Sequence, residues 1–213
     1  MRDAFEKLSE DKKNTILKSG ILEFSKKSYS DASMDEITKD CGISKGILFH
    51  YFGNKKEFYL FCLEQGLQRL FIDVPDPLAT DFYGIIFSSM EEKFSLCRQF
   101  PDEMRLVNMA ARETSSKVFE YKNKVIAGYL VKTKEKSAKI MERAVETLKL
   151  KKPNTDKVMS GLSMYMGAVI NSYLETYKEK PDVFFEKSEE IKMEIKEYID
   201  LMLKGVEKED KTK

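Results

Sequence analysis

The chain has 213 residues, 34% of them charged, and its 37 basic and 36 acidic side chains nearly cancel. That length supports one large or two small domains with a real core, and the charge balance excludes a strongly basic tail or an acidic solvating segment. Residues 1–72 show the same balance, 12 basic against 11 acidic, which argues against a purely electrostatic, non-specific nucleic-acid binder. Cys41, Cys62 and Cys97 are odd in number and widely spaced, as expected of buried free thiols in a reducing cytosol. The start, MRDAFEKLSEDKK, has no apolar signal region, and no apolar run reaches the length of a membrane span. A soluble, cytoplasmic protein with no membrane partner is expected.

In chain order, the signals are helical. Ser9, Glu10 and Asp11 make a helix start, since acids favour the positive end of the dipole. Ile16, Leu17, Gly20, Ile21 and Phe24 then form one apolar stripe that ends near Lys26 or Lys27. Ser33 and Glu36 predict a capping box at the start of a second helix, with Met34, Ile37 and Cys41 on one face. Gly42 can take the left-handed conformation past that helix end. Ser44 caps a third helix running to about Phe52, with Leu48 and Phe52 inward. Asn54, with Glu57 three residues on, opens a fourth helix over residues 55–71, and Pro75 and Pro77 stop it. Further helices are expected over 80–98, 102–112, 116–150, 155–178 and 183–204, with Pro101 in a first-turn position and Gly205 as a stop. Residues 132–136 are a candidate break in the longest of these. No sustained alternation of β-branched residues points to a sheet. The expected fold class is all-α, with about nine helices.

Residues 33–56, SMDEITKDCGISKGILFHYFGNKK, are the most informative. Two short helices joined by a tight glycine turn are the layout that sets a helix in a DNA groove. An ordinary amphipathic pair explains the inward face, but not the outer face of the third helix. There Lys45, Gly46, Ile47, His50 and Tyr51 mix donors, a small residue and an exposed apolar side chain, with no acid from Cys41 to Lys56.

Residues 9–72 resemble the TetR (tetracycline-repressor-like) family of bacterial one-component transcription regulators. The resemblance rests on FSKKSYSDASMDEITKDCGISKGILFHYFGNKKEF. This stretch matches a linked pattern of Phe, an aromatic, Ser/Thr-x-x-x-Ile, Gly-Ile-Ser-Lys-Gly, Leu-aromatic-x-Tyr-Phe and Asn-Lys over more than thirty positions. It implies an all-α homodimer whose first three helices bind a double-stranded DNA operator. It implies also a divergent C-terminal domain that binds a small-molecule effector and dimerises through its last two long helices. The implied division is residues 1–54 for DNA binding, with the motif at about 33–52, and 55–213 for effector binding and dimerisation.

Carried over by position, the resemblance gives Ser33 and Ser44 to phosphate oxygens at helix starts. It places Lys45, Gly46 and Ile47 on the leading turn of the recognition helix, where Lys45 can donate to guanine O6/N7 and Ile47 can pack on a thymine methyl. His50 and Tyr51 would face the groove wall, and Lys55 would sit beside a phosphate. Phe49 stands where the family usually has tyrosine, so the usual hydroxyl-to-phosphate bond is not available there. Ile47 replaces the more frequent small hydroxyl residue, which predicts an unusual operator.

His50 is the chain's one histidine, and no ligand-spaced His/Cys/Asp/Glu cluster or nucleophile–base pair accompanies it, so no catalytic, metal or cofactor site is expected. Nine of the eleven methionines lie beyond residue 89 together with many aromatic residues, a composition that adapts to apolar ligands and also serves as core. Phe61, Phe82, Ile86, Met90, Met109, Arg112, Tyr121, Met166 and Tyr173 are the candidate ligand-binding residues, with Arg112 for a polar or anionic group. Met159, Leu162, Met166 and Val169 form one stripe, and Ile191, Ile195, Ile199 and Met202 another. They predict a four-helix dimer interface, unless they close an intramolecular core. The function expected is a ligand-responsive transcriptional repressor. The alternatives are an all-α dimeric binding protein without a regulatory DNA target and, more distantly, an enzyme.

Overall fold

The computed structural model describes residues 3–72, 75–148, 150, 155–177 and 181–204. Among them there is no strand, and the order is α1 (Asp3–Glu6), α2 (Glu10–Lys26), α3 (Met34–Asp40), α4 (Lys45–Phe52), α5 (Lys55–Leu67), a π-helical segment (Gln68–Ile72), α6 (Phe82–Gln99), α7 (Pro101–Arg112), α8 (Phe119–Glu146), α9 (Thr155–Thr176), α10 (Pro181–Glu186) and α11 (Ser188–Lys204). The all-α expectation is correct. The expected stop at Gly205 lies outside the described residues.

The chain forms two compact units, one of Met1–Val74 with Ser95–Glu135 and the other of Pro75–Phe94 with Lys136–Lys213. In the first, α2, α3, α4, α5 and α7 bury one continuous apolar core that includes Ile16, Phe24, Ile37, Leu48, Phe52, Phe58, Cys62 and Leu106. Residues 55–72 belong to this unit together with the helix-turn-helix, because α5 carries the apolar face that closes the core beneath α4. Gly20 permits the closest approach, since a Cβ there would lie 2.5 Å from Phe58 Cζ and 2.7 Å from Cys62 Sγ. The short α1 was not legible as periodicity. It is held by Phe5, whose ring meets Phe52 at 5.0 Å and Phe61 at 5.3 Å.

Residues 132–136 do not break α8, since this segment has neither proline nor glycine and its lysines remain compatible with helix. The helix expected over 183–204 is instead two, α10 and α11, separated at Lys187. The break adjoins Phe184 and Phe185, which both pack against Phe94 at 5.4 and 5.9 Å. This second unit is further tied by Lys192 to Glu91 at 2.7 Å and by the Tyr83 hydroxyl to Asp200 at 2.5 Å. No described helix is long and apolar enough to cross a membrane.

Candidate nucleic-acid interface

The turn between α3 and α4 is a glycine-based helix stop. Gly42 has φ +67°, its N–H donates to Lys39, and the Ile43 N–H reaches back to Thr38. A β-carbon at Gly42 would strain that conformation, so glycine fixes the angle at which α4 leaves α3. The Ser44 hydroxyl then accepts from the Ile47 N–H at 3.2 Å, and Asn54 caps α5 by accepting from Glu57 at 3.0 Å. Leu48 and Phe52 are buried, which anchors the inner side of α4 and leaves Ser44, Lys45, Gly46, Ile47 and His50 exposed. Ile47 keeps 42% of its surface in solvent, although nothing in the fold requires an apolar side chain there. Gly46 is equally unexplained by packing: a Cβ would meet only the Ser44 hydroxyl, at 3.8 Å. An exposed helix glycine costs about 0.5–1 kcal/mol relative to alanine.

Several expected site residues turn out to be engaged within the protein. The Ser33 hydroxyl caps α3 by accepting from the Glu36 N–H at 3.3 Å, but the reciprocal half of the capping box is absent. Glu23 takes that role instead, its Oε1 accepting from the Ser33 N–H at 2.7 Å and from Lys27 at 2.9 Å. Burial pushes the Glu23 carboxyl up, but the Ser33 N–H and Lys27 outweigh it and leave the group below the usual carboxylate value. Lys55 faces the loop between α2 and α3: its ammonium donates to the Ala32 carbonyl at 2.6 Å and to Ser30 at 3.2 Å, and it lies 4.9 Å from the Tyr29 ring centre. Desolvation, followed by Lys117, lowers its pKa from the ordinary lysine value. Tyr51 is half-buried, edge-on to Phe5 at 6.1 Å, and Phe49 is half-buried against the core. Lys45 pairs with Asp35 of α3 at 3.0 Å.

Glu23, Asp35 and Glu113 join this site from outside the recognition helix. Glu113, just past α7, accepts from the Tyr29 N–H at 2.7 Å and the Ser115 N–H at 2.8 Å. The i,i+4 spacing of Glu23 and Lys27 was a visible signal. Residues 84 positions apart leave none.

The candidate ligand residues fall in different units. Phe61, Met109, Arg112 and Tyr121 belong to the first, and Phe82, Ile86, Met90, Met166 and Tyr173 to the second. Phe61 packs in the core between Phe5 and Phe52. Tyr121 is exposed beneath the Lys56 ammonium, 3.8 Å from its ring centre, and Arg112 is exposed at the end of α7. Phe82, Ile86 and Met90 are buried, while the Tyr173 hydroxyl donates to Glu194 at 2.8 Å.

The two stripes expected at a dimer interface are mostly covered within the protomer. Leu162, Val169, Ile191, Ile195 and Ile199 are buried inside the protomer, Met159 and Met166 are half-buried, and of the eight only Met202 is exposed. Periodicity marked a buried face but could not say which helix covers it. The apolar side chains left in solvent on α9 and α11 are Met164, Met193, Tyr198, Leu201 and Met202.

Comparison with known proteins meets this geometry at the helix-turn-helix. The family model described as bacterial regulatory proteins, tetR family, matches residues 16–60. The transcriptional regulator AcuR of Cereibacter sphaeroides is 36% identical over 50 residues, which cover 24% of this chain and 23% of that protein. The matched segment thus spans about a quarter of the curated relative. A TetR-family regulator from Streptomyces coelicolor has a TM-score of 0.62 at 14% identity over 88% of this chain and 80% of that one. Another from Chloroflexus aurantiacus has 0.54 at 19%, covering 95% and 96%. At these identities the solved structures share the fold alone.

Proposed function

We propose that this chain, a member of the TetR family of transcriptional regulators, is a ligand-responsive repressor that acts in the cytoplasm as a homodimer on a palindromic operator. The observation that carries this reading is the leading turn of α4. Ser44, Lys45, Gly46 and Ile47 stand exposed on a helix locked from beneath by Leu48 and Phe52, with a glycine that packing does not require and an isoleucine that it does not bury. Such a turn suits a major groove: Lys45 offers donors for guanine, Ile47 an apolar contact for a thymine methyl, and Gly46 lets the backbone come close. Ser44 contributes a hydroxyl and His50 a ring further along the same face.

In this reading Met164, Met193, Leu201 and Met202 supply apolar surface for the second copy. Two recognition helices then serve half-sites about 34–36 Å apart. An apolar effector held among the Met- and aromatic-rich helices of the second unit would favour a state in which that spacing is lost. Its power to do so equals its differential affinity for the two states. The test is fluorescence anisotropy on duplexes tiled across the DNA upstream of the gene, with and without small molecules that co-purify with the protein. One duplex should bind specifically and be released on addition of the effector, each ligand weakening the other by the same coupling free energy. Uniform binding to every tile would refute the regulator reading, and specific binding that no co-purifying molecule weakens would refute the induction step.

A further inference from the structure

The recognition face is not the simple cationic tip that the sequence of α4 suggests. Lys45 is the lysine of that helix, and its ammonium is paired at 3.0 Å with the Asp35 carboxylate, which enters from the start of α3. Both side chains are open to solvent, 46% exposed for Lys45 and 73% for Asp35, so the pair lies on the surface, on the same leading turn of α4 that carries the exposed Ile47. An exposed ion pair contributes little to folding. A carboxylate here also weakens any phosphate contact, by repelling the backbone and by neutralising Lys45 before DNA arrives.

Resting on the regulator reading above, we propose that Asp35 is a specificity-determining residue, forming with Lys45 one unit that reads a guanine and a neighbouring cytosine. The chemistry selects those bases. The amino donors exposed in the major groove are cytosine N4 and adenine N6, and adenine N6 is flanked by the acceptor N7, which a carboxylate repels. Cytosine N4 is therefore the partner for Asp35. Lys45 keeps two N–H donors after serving Asp35, and guanine O6 and N7 accept them. The pair exchanges general affinity for sequence preference.

The experiment is selection from a random duplex library with wild-type protein, Asp35→Ala and Asp35→Asn, followed by salt titrations on the selected duplex and a scrambled one. Wild type should select a motif with adjacent guanine and cytosine columns in each half-site. Asp35→Ala should lose about tenfold or more of the cytosine preference, on the scale of one mismatched base pair. It should also bind scrambled DNA more tightly, with a log–log salt slope steeper by about 0.9, because the freed Lys45 releases one more counterion. Asp35→Asn keeps the size of the side chain and should admit adenine in the cytosine column, as an amide pairs with adenine N6/N7. A wild-type motif that both variants reproduce in every column, with an unchanged slope, overturns this inference alone. A wild-type protein that selects no motif overturns the regulator reading and this inference with it.

Discussion

Lys55→Met deletes one ammonium while keeping most of the stem that covers Tyr29. In the native protein that ammonium donates to two backbone carbonyls, Ala32 at 2.6 Å and Ser30 at 3.2 Å. These close the loop that leads into α3, and through it they orient the whole helix-turn-helix. Hydrogen bonds to a charged group contribute about 1.5–3 kcal/mol each. Lys55 is only partly buried and the freed carbonyls can recruit water, so the pair together should amount to about 1.5–3 kcal/mol. For a chain of this size that corresponds to a fall in Tm of roughly 3–12 °C. Because the ammonium faces carbonyls, the salt dependence of DNA binding should keep its slope. The assay pairs thermal denaturation with anisotropy titrations at several salt concentrations. A variant with unchanged Tm and a slope flatter by about one unit would place Lys55 on a phosphate instead.

Two glycine substitutions should move stability in opposite directions. Gly20→Ala forces a methyl against Phe58 and Cys62, both buried, and should cost about 1–3 kcal/mol in chemical denaturation; Gly46→Ala has open space and should stabilise by about 0.5–1 kcal/mol while weakening operator binding. Glu23→Gln should cost about 1 kcal/mol at neutral pH. Since the folded carboxyl lies below its unfolded value, that stabilisation is present above about pH 4.3 and is lost as pH falls through the folded value, so wild type and variant should converge in acid denaturation curves. Ile195→Asp buries a charge in the protomer core and should unfold the second unit by circular dichroism, whereas Met202→Glu should stay folded and sediment as a monomer. A folded monomeric Ile195→Asp protein would return the isoleucine stripe to the dimer interface.

What the sequence made legible was local. Ser33, Ser44 and Asn54 as caps, Gly42 as the left-handed stop, and the inward turn of Leu48 and Phe52 follow from spacings of three or four residues, and the structure keeps each. Wherever a partner comes from a distant segment, pattern alone was silent. The Ser33 N–H goes to Glu23 across ten residues rather than to Glu36, and Lys45 meets an acid from the preceding helix, although none lies between Cys41 and Lys56. Lys55 was readable as a cation at a helix start, but its aim at Ser30 and Ala32 depends on how α5 packs under α2. The isoleucines of α11 illustrate the same limit. Their period identifies a face that must be covered, and the cover is the protomer's own second unit.

In the reading proposed above, the leading turn of α4 reads bases from a symmetric pair of protomers. Footprinting on the duplex selected from random DNA, with the protein-to-DNA ratio measured by sedimentation, tests it most directly. Two protected half-sites of inverted sequence are expected, centred about one helical turn or a multiple of it apart. Two protomers should bind each duplex, and Lys45→Ala and Ile47→Ala should lose the half-site preference. Protection that follows no sequence, or a selected motif that survives both substitutions unchanged, would contradict that reading.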